Sequence, residues 1–355
     1  MIAAIARVAY LFAPDMNPIN IPHHVRRLRH PLTMNEVPNE LIVLALSWIH
    51  PYMVFKFRRL SHRFHQCLSH SSFARVNLSR FDLSRELMST WTVWMLHWPS
   101  EWRVAYARLH GSSCRTVVLA DRKNLKPAIR RRFPEEVHLL CNLQYLDLSR
   151  CHLQGVILEN AFCQLENLKQ LDLSMNGLNG CIPRNIGNLK KLVYLNLNCN
   201  ALQGDIPESM WTLPTLVHLC LAQNNLSGGL SENVGNLKHI KRLVLHHNNL
   251  SGRLPETVGR LRTLLSLEIG HNHFAGSLPE SIGDLTNLSD LDISFNRISG
   301  QLPTSFWRLQ RLGTLLMRGN DFQGLEPESL SRFPGLQEVD ISQVLEVNSD
   351  VLLIH

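Results

Sequence analysis

Leu168-Lys-Gln-Leu-Asp-Leu-Ser-Met-Asn-Gly-Leu-Asn-Gly-Cys-Ile-Pro183 is one copy of a pattern that returns through more than half of this chain. Nine copies align on their first apolar residue, and seven of the eight steps between them are 24 residues long. A fixed period of this length is typical of solenoids, in which every copy forms one turn of a stack. The first apolar residues are Leu143, Leu168, Leu192, Leu216, Ile240, Leu264, Leu288, Leu312 and Leu336.

Each copy opens with alternating apolar and polar residues. In the first, Leu146 and Leu148 alternate with Tyr145 and Asp147, which predicts a short strand with leucines on one face and polar side chains on the other. A buried leucine contributes roughly 1.5 to 3 kcal/mol, which does not offset the chain entropy lost on ordering a whole copy. Neighbouring copies must therefore stack and share one core.

Two further positions of the pattern have structural meaning. Glycine and proline follow the asparagine in five of the copies, as at Gly180 and Pro183, where glycine allows a sharp turn and proline leaves the strand ladder. An asparagine ahead of them can bond the backbone of adjacent turns through its buried amide. This predicted structural asparagine ladder comprises Asn176, Asn200, Asn224, Asn248, Asn272, Asn296 and Asn320.

The stretches Asn176-Gly-Leu-Asn-Gly-Cys-Ile-Pro183 and Asn296-Arg-Ile-Ser-Gly-Gln-Leu-Pro303 resemble the 24-residue plant-type leucine-rich repeat. The resemblance runs from Leu143 to about Ser342. It implies an α/β solenoid, a right-handed leucine-rich-repeat horseshoe with a parallel sheet on its concave face, where a protein partner binds.

The segment ahead of the repeats is basic and contains three short apolar helical patterns between Val37 and Leu78. Val37-Pro-Asn-Glu-Leu41, the central Pro51 and Leu60-Ser-His-Arg-Phe64 resemble the F-box, so the chain resembles an F-box/leucine-rich-repeat protein with a small all-α F-box-like module. The resemblance implies an adaptor that recruits a target protein to an SCF-type cullin-RING ubiquitin ligase through a Skp-type subunit. The implied ligase-subunit-binding residues are Val37, Pro38, Leu41, Leu44, Ile49 and Pro51.

Four regions are expected on these grounds: an N-terminal segment at 1–33 without ordered structure, an F-box-like module at 34–79, a tryptophan-rich and basic connector with the solenoid cap at 80–142, and the repeats at 143–355. In the connector, Trp91, Trp94, Trp98 and Trp102 follow helical spacing, which favours core packing over ligand stacking. The front helices have a second interpretation, a plain cap over the open end of the solenoid.

Outward positions of successive strands should align in columns about 4.8 Å apart. Exposed aromatic and basic residues in such columns are typical of recognition hot spots. The predicted partner-binding set on the concave face is Tyr145, Tyr194, His218, Arg242, His247, His271 and Phe295. An ordinary solvated sheet without a dedicated ligand is the competing interpretation.

The sequence contains no motif that predicts catalysis, cofactor binding or metal binding. The chain has no phosphate-binding glycine loop and no nucleophile elbow, so we expect a protein that is not an enzyme and needs no cofactor or small-molecule substrate. The histidines of the middle repeats do not predict a metal site, because only His247 and His271 share a column. We expect neither a membrane span, since no apolar stretch reaches about 18 residues, nor a nucleic-acid partner.

The eight cysteines are scattered and lack the paired cysteines that usually cap secreted arrays of this type. This favours a cytoplasmic location, with nuclear import through the basic run at 122–132 as an option. Secretion remains an alternative, in which the chain is an extracellular or membrane-associated recognition protein of plant-defence or receptor type. A third interpretation of the chain is an intracellular signalling scaffold. Four Asn-Leu-Ser acceptor patterns, at Asn77, Asn225, Asn249 and Asn287, say little about location, because at least two arise from the repeat itself.

Overall fold

The apolar and polar alternation of each repeat forms a three-residue strand, and these strands stack in register. The computed structural model describes residues 100–118, 131–324 and 327–342, together with Gln66, Leu68, His70, Phe73, Ala74, Asn77 and Leu78. It divides into two units, Met1–Ser113 and Cys114–His355. The F-box-like residues from Val37 to Phe64 lie outside the described residues.

The second unit contains a ten-stranded parallel sheet in which strands of consecutive turns are neighbours. Its strands are β1 (Thr116–Val118), β3 (Tyr145–Asp147), β5 (Gln170–Asp172), β7 (Tyr194–Asn196), β9 (His218–Cys220), β11 (Arg242–Val244), β13 (Ser266–Glu268), β15 (Asp290–Asp292), β17 (Thr314–Leu316) and β19 (Glu338–Asp340). Strand β1 precedes the first full repeat and pairs with β3, so it extends the sheet by one turn.

Two smaller parallel sheets are formed mainly by the strands that follow the asparagine of a turn. The first comprises β2 (Arg131–Arg132), β4 (Leu153–Val156), β6 (Gly177–Gly180), β8 (Ala201–Asp205) and β10 (Asn225–Ser227). The second comprises β12 (Ser251–Gly252), β14 (His273–Gly276), β16 (Arg297–Gly300) and β18 (Asp321–Phe322). A single bridge between Gly229 and Ser251 joins the turn of β10 to the turn of β12.

Short 3₁₀ helices complete the turns. Pro183, Pro207, Pro255, Pro279 and Pro303 each stand directly before one of them, with φ between −60° and −72°, the value to which the ring restricts proline. The helices span Glu135–Leu139, Glu159–Phe162, Arg184–Asn188, Glu208–Thr212, Glu232–Asn236, Glu256–Arg260, Glu280–Asp284, Thr304–Arg308 and Pro327–Arg332.

The core consists of stacked apolar columns. The middle leucine of every strand from Leu146 to Leu315 is fully buried, as the alternation predicts. The asparagine of each turn closes the backbone around this core. In Asn248, Nδ2 donates to the carbonyl oxygens of Leu221 and Leu245, both at 3.0 Å, and Oδ1 accepts from the Leu226 amide at 3.0 Å.

The same arrangement recurs from Asn176 to Asn320. At Asn320, Nδ2 donates to Ile293 O at 2.8 Å and Oδ1 accepts from Ile298 N at 3.0 Å. In the first turn Cys151 takes the asparagine's position, and its buried Sγ lies 3.2 Å from the Ser149 carbonyl oxygen. Each amide therefore links its own turn to the preceding turn without a disulfide.

In the first unit, helix α1 (Ser100–His110) places Trp102 in the core. Trp102 Nε1 donates to the Leu68 carbonyl oxygen at 2.6 Å, and its ring centroid lies 5.5 Å from that of Phe73. Trp102 therefore packs in the core, as its spacing predicts. The other three tryptophans, Trp91, Trp94 and Trp98, lie outside the described residues.

Candidate functional site

The outward side of the ten-stranded sheet, here termed the ten-stranded face, presents three columns of side chains. The first column contains Tyr145, Tyr194, His218 and Arg242, and the pairing register places each residue beside its equivalent in the next turn. The second column begins with Asp147 and Asp172, whose Oδ1 atoms accept from the backbone and hydroxyl of the serine two residues later. The outward aspartates therefore also hold their own turns.

The third column follows each strand, and its backbone has the left-handed conformation. Met175, His247, His271 and Phe295 have φ between 49° and 56°. A non-glycine residue with positive φ is uncommon, and it is maintained here because the asparagine amide of the next position secures the turn. The column thus projects one side chain per turn from the edge of the strands.

His247, His271 and Phe295 form a continuous aromatic stack across three turns. The centroids of His247 and His271 are 4.1 Å apart at an interplanar angle of 14°, and those of His271 and Phe295 are 4.3 Å apart at 23°. The guanidinium of Arg318 lies 5.4 Å from the Phe295 ring centroid, within cation–π range. Phe295 is nevertheless 40% exposed, so the stack presents an aromatic edge to solvent.

A polar cluster joins this stack to the first column. Arg242 Nη2 lies 3.3 Å from Glu268 Oε1, which also accepts from Ser266 Oγ at 2.7 Å. His246 Nε2 lies 3.8 Å from Glu268 Oε2, and its ring packs edge-on against His247 at 5.3 Å. Arg242, Glu268 and the histidine stack therefore form one contiguous surface.

The first turns of the face carry a second aromatic pair. The centroids of Tyr194 and His218 are 6.1 Å apart, and Tyr194 OH accepts from Asn196 Nδ2 at 3.1 Å. Burial raises the pKa of Tyr194, with the carboxylate of Asp172 acting in the same direction, so the phenol stays protonated at neutral pH. Tyr145 is 40% exposed and lies two turns earlier, with Gln170 between it and Tyr194.

The structure thus brings together six of the seven predicted partner-binding residues in two neighbouring groups. Tyr194, His218 and Arg242 are consecutive in the first column, while His247, His271 and Phe295 form the stack. Glu268, His246 and Arg318 complete the surface but were not in the predicted set. Strand alternation could have identified Glu268, because this residue lies in the second outward column. The position of Arg318 over Phe295 depends on side-chain packing alone and could not have been found in this way.

Metal binding does not suit this cluster. His247 and His271 lie face to face, whereas zinc ligands direct ring nitrogens at one point. Within the described residues, no group of three or more His, Cys, Asp or Glu side chains could hold a metal ion. No helix in the described ranges is long and apolar enough to cross a membrane.

A groove of about 640 Å³ lies beside the starts of several 3₁₀ helices and is lined in part by Glu232, Glu256 and Glu280. Two of these carboxylates are engaged with the next turn. Glu256 Oε2 accepts from Ser281 N at 3.2 Å, and Glu280 accepts from Thr304 N and Ser305 N, both at 3.3 Å. Because they satisfy the unpaired amides of helix starts, we assign them a structural role and prefer the ten-stranded face as the site.

Burial makes the histidine surface sensitive to acid. The pKa of His246 is lowered by burial and by His247 and raised in part by Glu268, and that of His271 is lowered by burial and by His247. The unfolded chain, with histidine pKa values near 6.5, then binds more protons than the folded chain at mildly acidic pH. This contribution to stability is present above pH 6.5 and is lost as pH falls toward the folded pKa values.

We therefore expect the thermal midpoint to be lower at pH 5.5 than at pH 7.5. In a His246→Gln, His271→Gln double variant the difference should shrink, as measured by circular dichroism in both buffers. His273→Gln, an exposed histidine on β14, is the matched control. An unchanged difference in the double variant would show that other groups govern the acid response.

Comparison with known proteins agrees with the repeat architecture. A family model described as Leucine Rich Repeat matches residues 142–165, 167–189, 191–213, 239–261 and 287–309. No F-box family model matches the chain. No curated protein matches at the sequence level.

Solved structures of plant receptors are similar to this chain. A TDR receptor is 31% identical with a TM-score of 0.63, over 68% of this chain and 41% of the receptor. The ectodomain of the Arabidopsis receptor kinase HAESA, in complex with an IDA peptide hormone, is 32% identical with a TM-score of 0.57, over 60% of this chain and 36% of that one.

A third similar structure is the ectodomain of the plant membrane receptor kinase GASSHO1/SCHENGEN3 from Arabidopsis thaliana, in complex with CASPARIAN STRIP INTEGRITY FACTOR 2. It is 30% identical with a TM-score of 0.58, over 68% of this chain and 30% of that one. This chain spans between 30% and 41% of the length of these three structures.

These comparisons overturn the expected cytoplasmic or nuclear location. The similar structures are receptor ectodomains, which point to the extracellular side. The expectation was wrong because cysteine pairing is a weak guide to compartment here. All seven described cysteines are free, yet the turns from Asn176 to Asn320 are held by their asparagine amides and have no need of a disulfide.

Proposed function

We propose that this leucine-rich-repeat chain is the ligand-recognition part of an extracellular protein and that it binds a peptide or a protein segment across the ten-stranded face. The observation that supports this most is the exposed surface formed by Arg242, Glu268 and the stack of His247, His271 and Phe295. HAESA and GASSHO1/SCHENGEN3, whose structures contain a peptide hormone and CASPARIAN STRIP INTEGRITY FACTOR 2, support the same kind of ligand.

The dimensions of this surface suit an extended peptide. From Tyr194 on β7 to the turn of Arg318 after β17 there are five steps between turns, or about 24 Å at ~4.8 Å per step. An extended peptide advances about 3.3 Å per residue, so roughly seven residues would cross the surface. A ligand of this length could contact both the tyrosine pair and the histidine stack.

The side chains define the ligand chemistry that fits. The flat edge of His271 and Phe295 suits an aromatic or aliphatic anchor, because aromatic side chains contribute most of the energy at recognition hot spots. Arg242 and Glu268, which are paired in this structure, offer a donor and an acceptor beside that anchor. The expected ligand therefore has one apolar anchor followed by polar residues.

A library of random linear peptides, selected on the wild-type protein, tests this function. We expect the selected peptides to lose at least tenfold in affinity when His271 and Phe295 are both replaced by alanine, which corresponds to about 1.4 kcal/mol. Isothermal titration calorimetry measures the loss. His273→Ala, an exposed histidine on a smaller sheet, is the matched control and should bind normally.

Two results would contradict the proposal: selected peptides that bind the double variant as tightly as the wild type, or peptides that lose affinity only with His273→Ala. The first would remove the stack from the site, and the second would move the site to another sheet.

The adaptor function remains a prediction. Its implied Skp-binding residues, Val37, Pro38, Leu41, Leu44, Ile49 and Pro51, lie outside the described residues, and no observation on the described part of the chain favours a ubiquitin-ligase role over ligand recognition. The expectation that the chain acts by binding agrees in its broad form with the similar ligand-bound ectodomains.

A further inference from the structure

We propose that Asn225 and Asn249 carry N-linked oligosaccharides, and that Asn77 and Asn287, which have the same Asn-Leu-Ser pattern, do not. The proposal rests on the extracellular location proposed above. In the transfer, the asparagine Nδ2 forms a bond to the anomeric carbon of an oligosaccharide. The bond between that carbon and the diphosphate of a lipid carrier breaks, and the lipid diphosphate takes up the proton that the amide loses.

The strand geometry presents the first two patterns to solvent. Asn225 is exposed at the start of β10, while the next residue, Leu226, is fully buried and Ser227 is again partly exposed. Asn249, Leu250 and Ser251 repeat this arrangement one turn later. Because successive side chains of a strand point to opposite faces, the asparagine and serine lie on the solvent side and the leucine in the core.

The side-chain amides of Asn225 and Asn249 also have no structural task. Within the described residues, neither side chain makes a hydrogen bond, although the Asn249 backbone amide donates to Leu226 O at 2.8 Å. An oligosaccharide on Nδ2 therefore displaces no hydrogen bond among the described residues.

The other two patterns lie in different environments. Asn77 is fully buried, so an oligosaccharide there is incompatible with the folded first unit. Asn287 is half-buried and joins three turns, because its Nδ2 donates to Arg262 O at 2.8 Å and its Oδ1 accepts from Arg311 Nη1 at 2.8 Å.

The role of Asn287 recurs at the same position of other turns. Asn167 donates to Cys141 O at 3.2 Å and accepts from Lys191 Nζ at 2.7 Å. Thr215 and Thr263 donate to the carbonyl oxygens of Lys190 and Lys238. Asn167 is not part of an acceptor pattern, so the hydrogen bonds at this position belong to the stack itself and explain Asn287 without a glycan.

The two proposed acceptors lie on adjacent turns, at β10 and beside β12 in the smaller sheets. Neither belongs to the ten-stranded sheet. Oligosaccharides at these positions would therefore be attached beside the smaller sheets and not to the ten-stranded sheet.

The test expresses the full chain through the secretory pathway of insect cells with an added signal peptide. Secreted protein is treated with a glycosidase in heavy-oxygen water, and mass spectrometry finds each asparagine converted to labelled aspartate. We expect the label at Asn225 and Asn249 and at neither Asn77 nor Asn287. Asn225→Gln and Asn249→Gln should each remove one glycan's mass from the intact protein, and Asn287→Gln should remove none.

Absence of the label from either Asn225 or Asn249, or its presence at Asn77 or Asn287, would overturn the assignment. The same mapping on protein from its natural source tests the location. If the recombinant protein is glycosylated at both sites and the natural protein at neither, the extracellular premise is wrong and the proposal fails with it. Peptide binding by the bacterially produced chain is measured separately and does not depend on this result.

Discussion

Replacing Asn248 with alanine is expected to destabilise the repeat unit by about 2 to 4 kcal/mol, because one buried backbone amide loses its acceptor and two buried carbonyl oxygens each lose one donor. The Leu226 amide loses its acceptor. The carbonyl oxygens of Leu221 and Leu245 each lose one donor but keep the side-chain amide of Asn224 or Asn272. Each buried unsatisfied group costs about 1 to 3 kcal/mol. Urea unfolding followed by circular dichroism should show the lower midpoint.

The neighbouring asparagine provides the matched control. Asn249 is exposed, and its replacement by alanine in bacterially produced protein should leave the midpoint unchanged. Hydrogen exchange gives a local readout, since repeat arrays need not unfold in a single step. The Leu226 amide should lose protection first in Asn248→Ala. The Leu250 amide, which is bonded to Asn272 Oδ1, should keep more of its protection. Equal loss at both amides would argue against a local ladder.

Gly283→Ala is expected to cost about 2 to 3 kcal/mol, because an added methyl group would overlap the backbone of the next turn. A Cβ atom at Gly283 would lie 2.1 Å from the carbonyl oxygen of Ser305. Relief requires the two turns to separate, which weakens the bonds between Ser305 and Glu280. Thermal unfolding at neutral pH should show the lower midpoint.

Gly229→Ala is the control for this substitution. A Cβ atom there meets only Ser251 O at 3.6 Å, an ordinary van der Waals contact, and the residue does not have positive φ. Its replacement should be neutral or slightly stabilising, because alanine reduces the conformational entropy of the unfolded chain. If both substitutions behave alike, close packing between turns does not explain the glycine at 283.

The close approach of the next turn to Gly283 could not be predicted from the repeat pattern. The equivalent position is glycine in several other turns but tryptophan in two, Trp211 and Trp307, so the pattern alone does not say which turns accept a side chain there. The distance to the next turn decides which positions accept a side chain, and that distance depends on how two turns pack. Trp211 is buried in its turn, whereas Gly283 has no space for a methyl group.

The candidate site was predictable only in part, because strand alternation specifies which residues face outward but not which side chains touch. Strand alternation was sufficient to place Tyr194, His218 and Arg242 in one outward column, and the pairing register agrees. The contact of Glu268 with both Arg242 and His246 was not predictable, since it depends on the conformations of three side chains from two neighbouring turns. The location was mispredicted because the lack of paired cysteines was taken to indicate a reducing compartment. Turns that are held by asparagine amides need no disulfides in either compartment.

By itself, the sequence determined the stacking of turns, the parallel order of strands and the residues that face outward, because a 24-residue period with fixed apolar spacing has one packing solution. Only the tertiary structure decided that His247, His271 and Phe295 form one stack, and that Asn225 and Asn249 are open while Asn77 and Asn287 are engaged. The physical reason is that periodicity specifies backbone positions, whereas stacking distances and amide accessibility arise from contacts between residues one or more turns apart.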